Sequence, residues 1–379
     1  MNKVLIFIDW YKPAYKAGGP ISSIFNMVEF LGDHIDFFIV TSNYDLDNKL
    51  SLNVKINTWV KVSKANVIYL DKKNQKIKLL KSLIKHVNPD KIYLNGIFSF
   101  FFSILPCILF NNNFDIIIHP RGMLGTSALS IKKAKKLFFL KMVNFSSMYK
   151  GVFWHVSNNK ELVELKKHFD ISSNINVIPN LPRSSTHVKK ENKRSGLLNL
   201  ITICRVNKIK NIEFILELLK DIPLKCNYKI IGFIEDQKYY KRLNNIIEIL
   251  PDNINVKFTG LLNQKEIESE LSKADLFVSS SLNENYGHSI VESLSCGLPV
   301  LISNFCPWNN LDKYRAGFKL TLDKNKFKEK LLFFYKMESM ISFQSNARTA
   351  VLQSSLFYFL ILYRGTTLIS LLLNQNHWS

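Results

Sequence analysis

The stretch from Leu276 to Ser303, LFVSSSLNENYGHSIVESLSCGLPVLIS, constrains the chain more than any other. Leu276 to Ser280 is a short apolar run ending in serines, the pattern of a buried strand. A polar loop follows, Leu282 to His288, and Ser289 to Ser295 reads as a helix with Ile290 and Leu294 one turn apart. Gly297 stands where a helix ends on a left-handed residue, and Pro299 opens a second buried strand, PVLIS. Strand, loop, helix and strand in that order make a unit of a parallel sheet. Ligands of such sheets lie at the carboxyl ends of the strands, near the helix N-terminus.

Two carboxylates flank the loop. Seven residues separate Glu284, in the loop, from Glu292, in the first turn of the expected helix. Between them Gly287 permits close approach of a ligand to the backbone, and the amides of His288, Ser289 and Ile290 can face an anion. Carboxylates beside a phosphate would repel it, so they suit sugar hydroxyls instead. Ser289-Ile290-Val291-Glu292 also fits the S-x-x-E capping box, in which Glu292 only closes the helix N-terminus. On spacing alone the two readings stand level.

ENYGHSIVE followed by small residues and GLPV resembles the E-x7-E signature of retaining GT-B glycosyltransferases, family 4 in particular. That resemblance implies that Glu284 lies by the donor sugar and Glu292 binds the nucleotide ribose. It implies that the loop from Asn285 through Tyr286, Gly287 and His288 to Ser289 holds the diphosphate. Further along the resemblance, Arg205 and Lys210 match a cation pair that neutralises the leaving diphosphate. The A-G-G-P at Ala17 to Pro20 matches a glycine-rich loop after the first strand, with Gly19 toward the donor phosphates and Gly18 toward the acceptor. Val177-Ile178-Pro179-Asn180 resembles the family's V-I-P-N at the domain junction.

Read from the residues, Arg205 follows the buried run LNLITIC, and Lys210 precedes the apolar-periodic NIEFILELL. Cations at a strand end before a helix can clamp a diphosphate. His119 and Arg121 end the run FDIIIH, where a catalytic cleft would lie. The resemblance implies a catalytic histidine near the donor sugar, with Arg121 on the acceptor side; a surface His-Pro turn stands level with it. Asp45-Leu46-Asp47 has the D-x-D form of a metal–nucleotide site, but the GT-B resemblance needs no metal, and none is expected. No cofactor is expected either, only a UDP- or GDP-linked sugar as substrate.

Composition enters with the question of partners. The chain of 379 residues carries a formal charge of +21, and 17 of its Lys and Arg against 3 acids fall between residues 51 and 150. Residues 201 to 300 hold 12 Lys and Arg against 13 acids. A basic first half beside a balanced second half indicates an anionic partner. No nucleic-acid motif is present, so anionic lipid is the expected one. Two segments suit a membrane surface. Ile97 to Phe110 is strongly apolar, too short to span, and reads as a buried helix or a shallow insertion. Ile131 to Val143, IKKAKKLFFLKMV, clusters lysines before apolar residues, as interfacial helices do and ordinary amphipathic helices also can. Five scattered cysteines without a C-x-x-C pair argue against a zinc site or a disulfide framework and fit a reducing cytoplasm. The first residues do not read as a signal peptide.

The expected architecture is α/β: GT-B, two Rossmann-like domains facing across a cleft. The first spans 1–182, with Val152 to Ser157 as its last strand, and binds the acceptor. A polar linker runs from Leu181 to Arg194. The second domain spans 195–343 and binds the nucleotide sugar. The tail, 344–379, departs from the resemblance. From Ile341 onward it has two arginines, no lysine and no acid, and its apolar run is broken by Arg364 and Gly365. The expected activity is transfer of a sugar to a lipid-linked glycan acceptor with retention, at the inner face of a membrane, in surface polysaccharide assembly. The alternatives are a catalytically inactive membrane-associated scaffold, which the tail suggests, and an epimerase or phosphorylase of the same fold.

Overall fold

The computed structural model describes residues 1–46, 51–130, 132–146, 148–171, 173–183, 193–340, 342–343, 345–351 and 371–372. The described residues divide into two compact units, one of 1–181 with 371–372 and the other within 182–351. Asp47, most of the linker, and Arg364 with Gly365 lie outside the described residues.

The first unit is an eight-stranded sheet: β1 (Asn2–Phe7), β2 (Ile35–Ser42), β3 (Trp59–Val62), β4 (Ala65–Leu70), β5 (Lys91–Asn95), β6 (Asp115–His119), β7 (Phe153–Val156) and β8 (Ile175–Val177). Their order is β3-β4-β2-β1-β5-β6-β7-β8, and all pairs are parallel except β3 with β4. Successive residues alternate between two cores. Leu5, Phe7, Ile92 and Leu94 face one side, and Val4, Ile6, Ile8 and Tyr93 face the other. Helices α2 (Ile77–Val87), α3 (Leu105–Phe110), α5 (Lys133–Ser146) and α6 (Asn159–His168) cover the former, and α1 (Gly19–Leu31) covers the latter. A short α4 (Thr126–Ser130) precedes α5. Burial on both faces is why these strands read as continuous apolar runs.

The second unit has six parallel strands: β9 (Leu198–Ile203), β10 (Cys226–Ile231), β11 (Ile254–Gly260), β12 (Leu276–Ser279), β13 (Val300–Ser303) and β14 (Gly317–Leu320). The order β11-β10-β9-β12-β13-β14 is the doubly wound one, which reverses between β9 and β12. Helices α7 (Ile212–Leu219), α8 (Gln237–Ile247) and α11 (Lys324–Lys336) pack on one face. On the other lie α9 (Gln264–Lys273) and α10 (His288–Ser295).

One expectation changes, and two segments left open by the sequence gain a place in the packing. Val152 to Ser157 does not end the first sheet, because β8 adds a parallel strand beyond it. Only three residues long and at the sheet edge, β8 has no apolar run to announce it. Ile97 to Phe110 is largely buried, winding as a π-helical turn at Phe100–Ile104 before α3. The described part of the tail is not idle. Ala347, Ala350 and Val351 are buried in the second unit, and Leu371 and Leu372 in the first. Among the described residues no helix is long and apolar enough to cross a membrane.

Candidate active site

In a doubly wound sheet the crevice forms at the carboxyl edge where the strand order reverses. In the second unit that edge lies between β9 and β12, and the chain places Arg205, Lys210 and Glu284 there. After β9 a one-turn 3-10 helix, Lys208–Lys210, is capped by the Asn207 side chain, which accepts the Lys210 amide at 3.3 Å. This turn is stitched to the loop after β12. The Leu282 amide donates to the Ile209 carbonyl at 2.8 Å, and the Ser280 hydroxyl donates to the Asn211 carbonyl at 2.6 Å. Behind it, the Ser303 hydroxyl on β13 donates to the Ser281 carbonyl at 2.5 Å.

The result is an ion pair: Lys210 Nζ lies 2.5 Å from Glu284 Oε2, with 18% and 21% of the two side chains exposed. Burial opposes both charges, yet each holds the other ionised. Lys210, with help from His288 and Arg205, keeps Glu284 below the usual carboxylate range, and Glu284 keeps Lys210 above the usual ammonium one. Arg205 is turned to a different partner. Its Nη1 lies 2.7 Å from Glu235 Oε1, and Asn207 Nδ2 donates to the same carboxylate. The sequence reading missed Glu235. Its signal is register: a parallel bridge between Val206 and Ile234 extends the β9–β10 pairing, so the residue after Ile234 must stand beside Arg205 and Asn207.

The loop then enters α10 through Gly287, whose φ of 77° is left-handed. A side chain there would be strained, and its Cβ would come within 2.8 Å of Ile290 Cδ1. The Tyr286 carbonyl accepts from Trp308 Nε1 at 2.7 Å, and the Tyr286 ring lies 4.8 Å from that of His288. Trp308 was also unforeseen, because nothing in its local spacing links it to the loop. The helix ends in a Schellman motif at Gly297, with Leu298 N–H bonded to the Ser293 carbonyl and Gly297 N–H to that of Leu294.

The capping box is corrected. Gly287, not Ser289, is the N-cap, and it makes no side-chain cap. Ser289 is already helical, and its carbonyl accepts from the Ser293 hydroxyl at 2.8 Å. Glu292 is therefore the fifth residue of α10, beyond the reach of an N3 cap. Side chains on a helix lean toward its N-terminus, so Glu292 lies over His288 and Ser289, on the loop side. It is neither buried nor fully exposed.

The first unit holds the remaining residues. Gly18, with φ 67°, caps α1, and Gly19 opens that helix; a Cβ on Gly18 would meet nothing within 4 Å. Asp45 is buried, and its carboxylate accepts the amides of Tyr15, Lys16 and Leu46. It is a loop anchor, and its D-x-D partner Asp47 lies outside the described residues. The surface His-Pro turn is overturned, because His119 has no exposed area. Tyr93 bridges it to His155, at 3.0 Å to His119 Nδ1 and 2.8 Å to His155 Nδ1, and His119 Nε2 faces Glu161 Oε2 at 3.5 Å. Burial and then Arg121 push the His119 pKa down to about 4 against the pull of Glu161, so the ring is neutral at pH 7. Arg121, at φ 57°, donates from Nε to Asn95 at 2.6 Å and from Nη1 to Asn180 at 2.5 Å. Glu161 accepts the Gly122 amide at 2.5 Å and the Ser157 amide at 2.7 Å. His119 thus shapes the turn that carries Arg121.

A cavity of about 520 Å³ lined by Lys220, Leu224, Lys225, Pro251 and Tyr335 lies at the opposite, amino-terminal edge of the second sheet. Doubly wound sheets do not bind their ligands there.

Residues 183–311 match the family described as "Glycosyl transferases group 1". The Streptococcus pneumoniae alpha-monoglucosyldiacylglycerol synthase is 30% identical over 118 residues, which cover 31% of this chain and 27% of that protein. The chain thus aligns with well under two thirds of that relative's length. Sucrose-phosphate synthase from Thermosynechococcus elongatus superposes with a TM-score of 0.69 over 96% of this chain and 100% of its own, at 14% identity. Anabaena HepE in complex with UDP and glucose superposes with a TM-score of 0.68 over 96% of this chain and 99% of its own, at 15% identity. The chain has the GT-B fold of two Rossmann-like domains, and residues 183–311, in its second unit, are similar to the glycosyl transferases group 1 family.

Proposed function

We propose that this protein is a retaining glycosyltransferase of family 4, moving a sugar from a UDP- or GDP-linked donor to a lipid-linked glycan acceptor in surface polysaccharide assembly. The observation that carries the reading is the Lys210–Glu284 pair, set at the switch point beside the start of α10. In the reaction the bond from the anomeric carbon to the diphosphate oxygen breaks, and the acceptor oxygen attacks on the same face. The acceptor proton passes to the departing oxygen, so no enzymic nucleophile is needed. Negative charge grows on the diphosphate, where Lys210 and the α10 amides stabilise it. Arg205 joins them by leaving Glu235, a half-exposed pair whose exchange costs little. Glu284 orients the sugar and Glu292 the ribose. Asn285 to Ser289 wrap the phosphates, and in the first unit Gly18 and Arg121 bind the acceptor. His119 positions the Arg121 turn from behind.

These cations do the work a metal would otherwise do, so neither metal nor cofactor is required. The glycolipid product named for the S. pneumoniae relative supports a lipid-linked acceptor. The basic stretch from 51 to 150 supports a peripheral site on the cytoplasmic face of a membrane. The test is incubation with a panel of UDP- and GDP-sugars, followed by proton NMR. Slow donor hydrolysis giving the donor's own anomer, unchanged in EDTA, is expected. An inverted product, or activity that EDTA abolishes and manganese restores, contradicts the mechanism. Donor binding without any turnover indicates the scaffold instead.

A further inference from the structure

Helix α5 (Lys133–Ser146) is apolar on both of its faces. It buries Leu140 and Val143 in the core shared with α2 and α3. Yet Phe138, Met142 and Phe145 are 67%, 55% and 95% exposed. Their spacing of four and then three residues aligns them. At about 100° per residue they fall within an arc of roughly 60°, centred opposite Leu140 and Val143. Lys135 and Lys141 lie on either side of that arc, and both are exposed, as are Lys132 and Lys133 at the start of the helix. Helix α2 is the contrast: it buries Leu80, Leu83, Ile84 and Val87 in the same core and turns Lys78, Lys81 and Lys85 outward. The face of the first unit that bears α2 and α5 is therefore positive, with an apolar ridge along α5; Ile77 on α2 and Phe100 and Ile108 by α3 are exposed singly on the same side.

We infer that this ridge inserts into the surface of an anionic bilayer, with Phe138, Met142 and Phe145 among the upper acyl chains and Lys135 and Lys141 on the headgroups. A lysine can bury its stem along apolar surface and keep its charge in water, so flanking lysines fit a helix lying in the interface plane. Charge selects the occupant. A second copy of a chain carrying +21 would set like-charged flanks against one another, whereas acidic headgroups complement them. The inference rests on the membrane location proposed above and names the element that enters the bilayer.

The full chain is tested on vesicles of phosphatidylcholine, alone and mixed with phosphatidylglycerol. Phe145→Trp serves as the reporter. On acidic vesicles its emission should shift to the blue and be quenched by bromine on the acyl chains. Phe138→Ser with Phe145→Ser should weaken vesicle binding roughly tenfold or more, including the part that survives high salt, because burial of apolar area is not screened. Lys135→Gln with Lys141→Gln should remove mainly the salt-sensitive part. All four positions are exposed, so melting temperatures should hold. Binding to acidic vesicles without any change in Phe145→Trp emission overturns the inference and leaves the membrane reading standing. Absence of all binding overturns both. Self-association in sedimentation that Phe138→Ser with Phe145→Ser abolishes would show that a second copy covers the ridge, and this too overturns it.

Discussion

The carboxylate of Glu292 stands a full turn inside α10, where it cannot cap the helix but can reach a ligand at the helix start. Changing it to Gln keeps its size and removes its charge. A hydrogen bond to a charged group contributes roughly 1.5–3 kcal/mol, so nucleotide affinity measured by calorimetry should fall at least about tenfold. The melting temperature should not change; a drop in stability without a drop in affinity would contradict the register seen here. Glu161 carries the opposite kind of role. Burial opposes its charge, but His119 and the Ser157 donors hold its carboxyl well below the usual range. A depressed carboxyl contributes stability that is present above its unfolded pKa, about 4.5, and is lost on acidification through the folded one. The gap in unfolding free energy between wild type and Glu161→Gln should therefore narrow as pH falls below about 4.5. A gap that is constant with pH would contradict the assignment.

At the scale of elements, the turn into α10 is the most constrained point of the loop. Gly287→Ala would hold a side chain in the left-handed region, at about 1–2 kcal/mol, and would press on Ile290, 2.8 Å from the new Cβ. Denaturant unfolding should show at least that loss, with weaker nucleotide binding. The sequence carried this turn well. A lone glycine between a buried strand and a short helix, with a second glycine after it, marks both ends of α10 by backbone necessity. What it could not carry was the helix start to one residue, because Ser289 offered a plausible cap while the real one is a glycine without a side-chain bond. Nor did it carry Glu235, Trp308 or the burial of His119. Each depends on which strands lie side by side, and β8, short and at the edge, gave no periodic signal. Helix α5 was legible in part: its apolar residues show in the sequence, but only the fold shows that half of them point out of the core.

Over the whole molecule the tail is the part whose role the residues concealed. Its loss of charge reads as a departure from the rest of the chain, yet Leu371 and Leu372 are buried in the first unit, and Ala347, Ala350 and Val351 in the second. Full burial of a leucine is worth about 1.5–3 kcal/mol, so truncation after Phe343 should destabilise the first unit by roughly twice that. Calorimetry should show a lower melting temperature for the truncated chain, and an unchanged one would contradict the packing. The central proposal concerns the other unit, where Lys210 pairs with Glu284 at the β9–β12 switch point and is proposed to bind the diphosphate. Titration of wild type and Lys210→Ala with a nucleoside diphosphate and with the bare nucleoside tests it directly. Wild type should bind the diphosphate far more tightly, and the substitution should weaken the diphosphate at least about tenfold while leaving the nucleoside unchanged. Equal losses for both ligands, or none for either, would contradict the account.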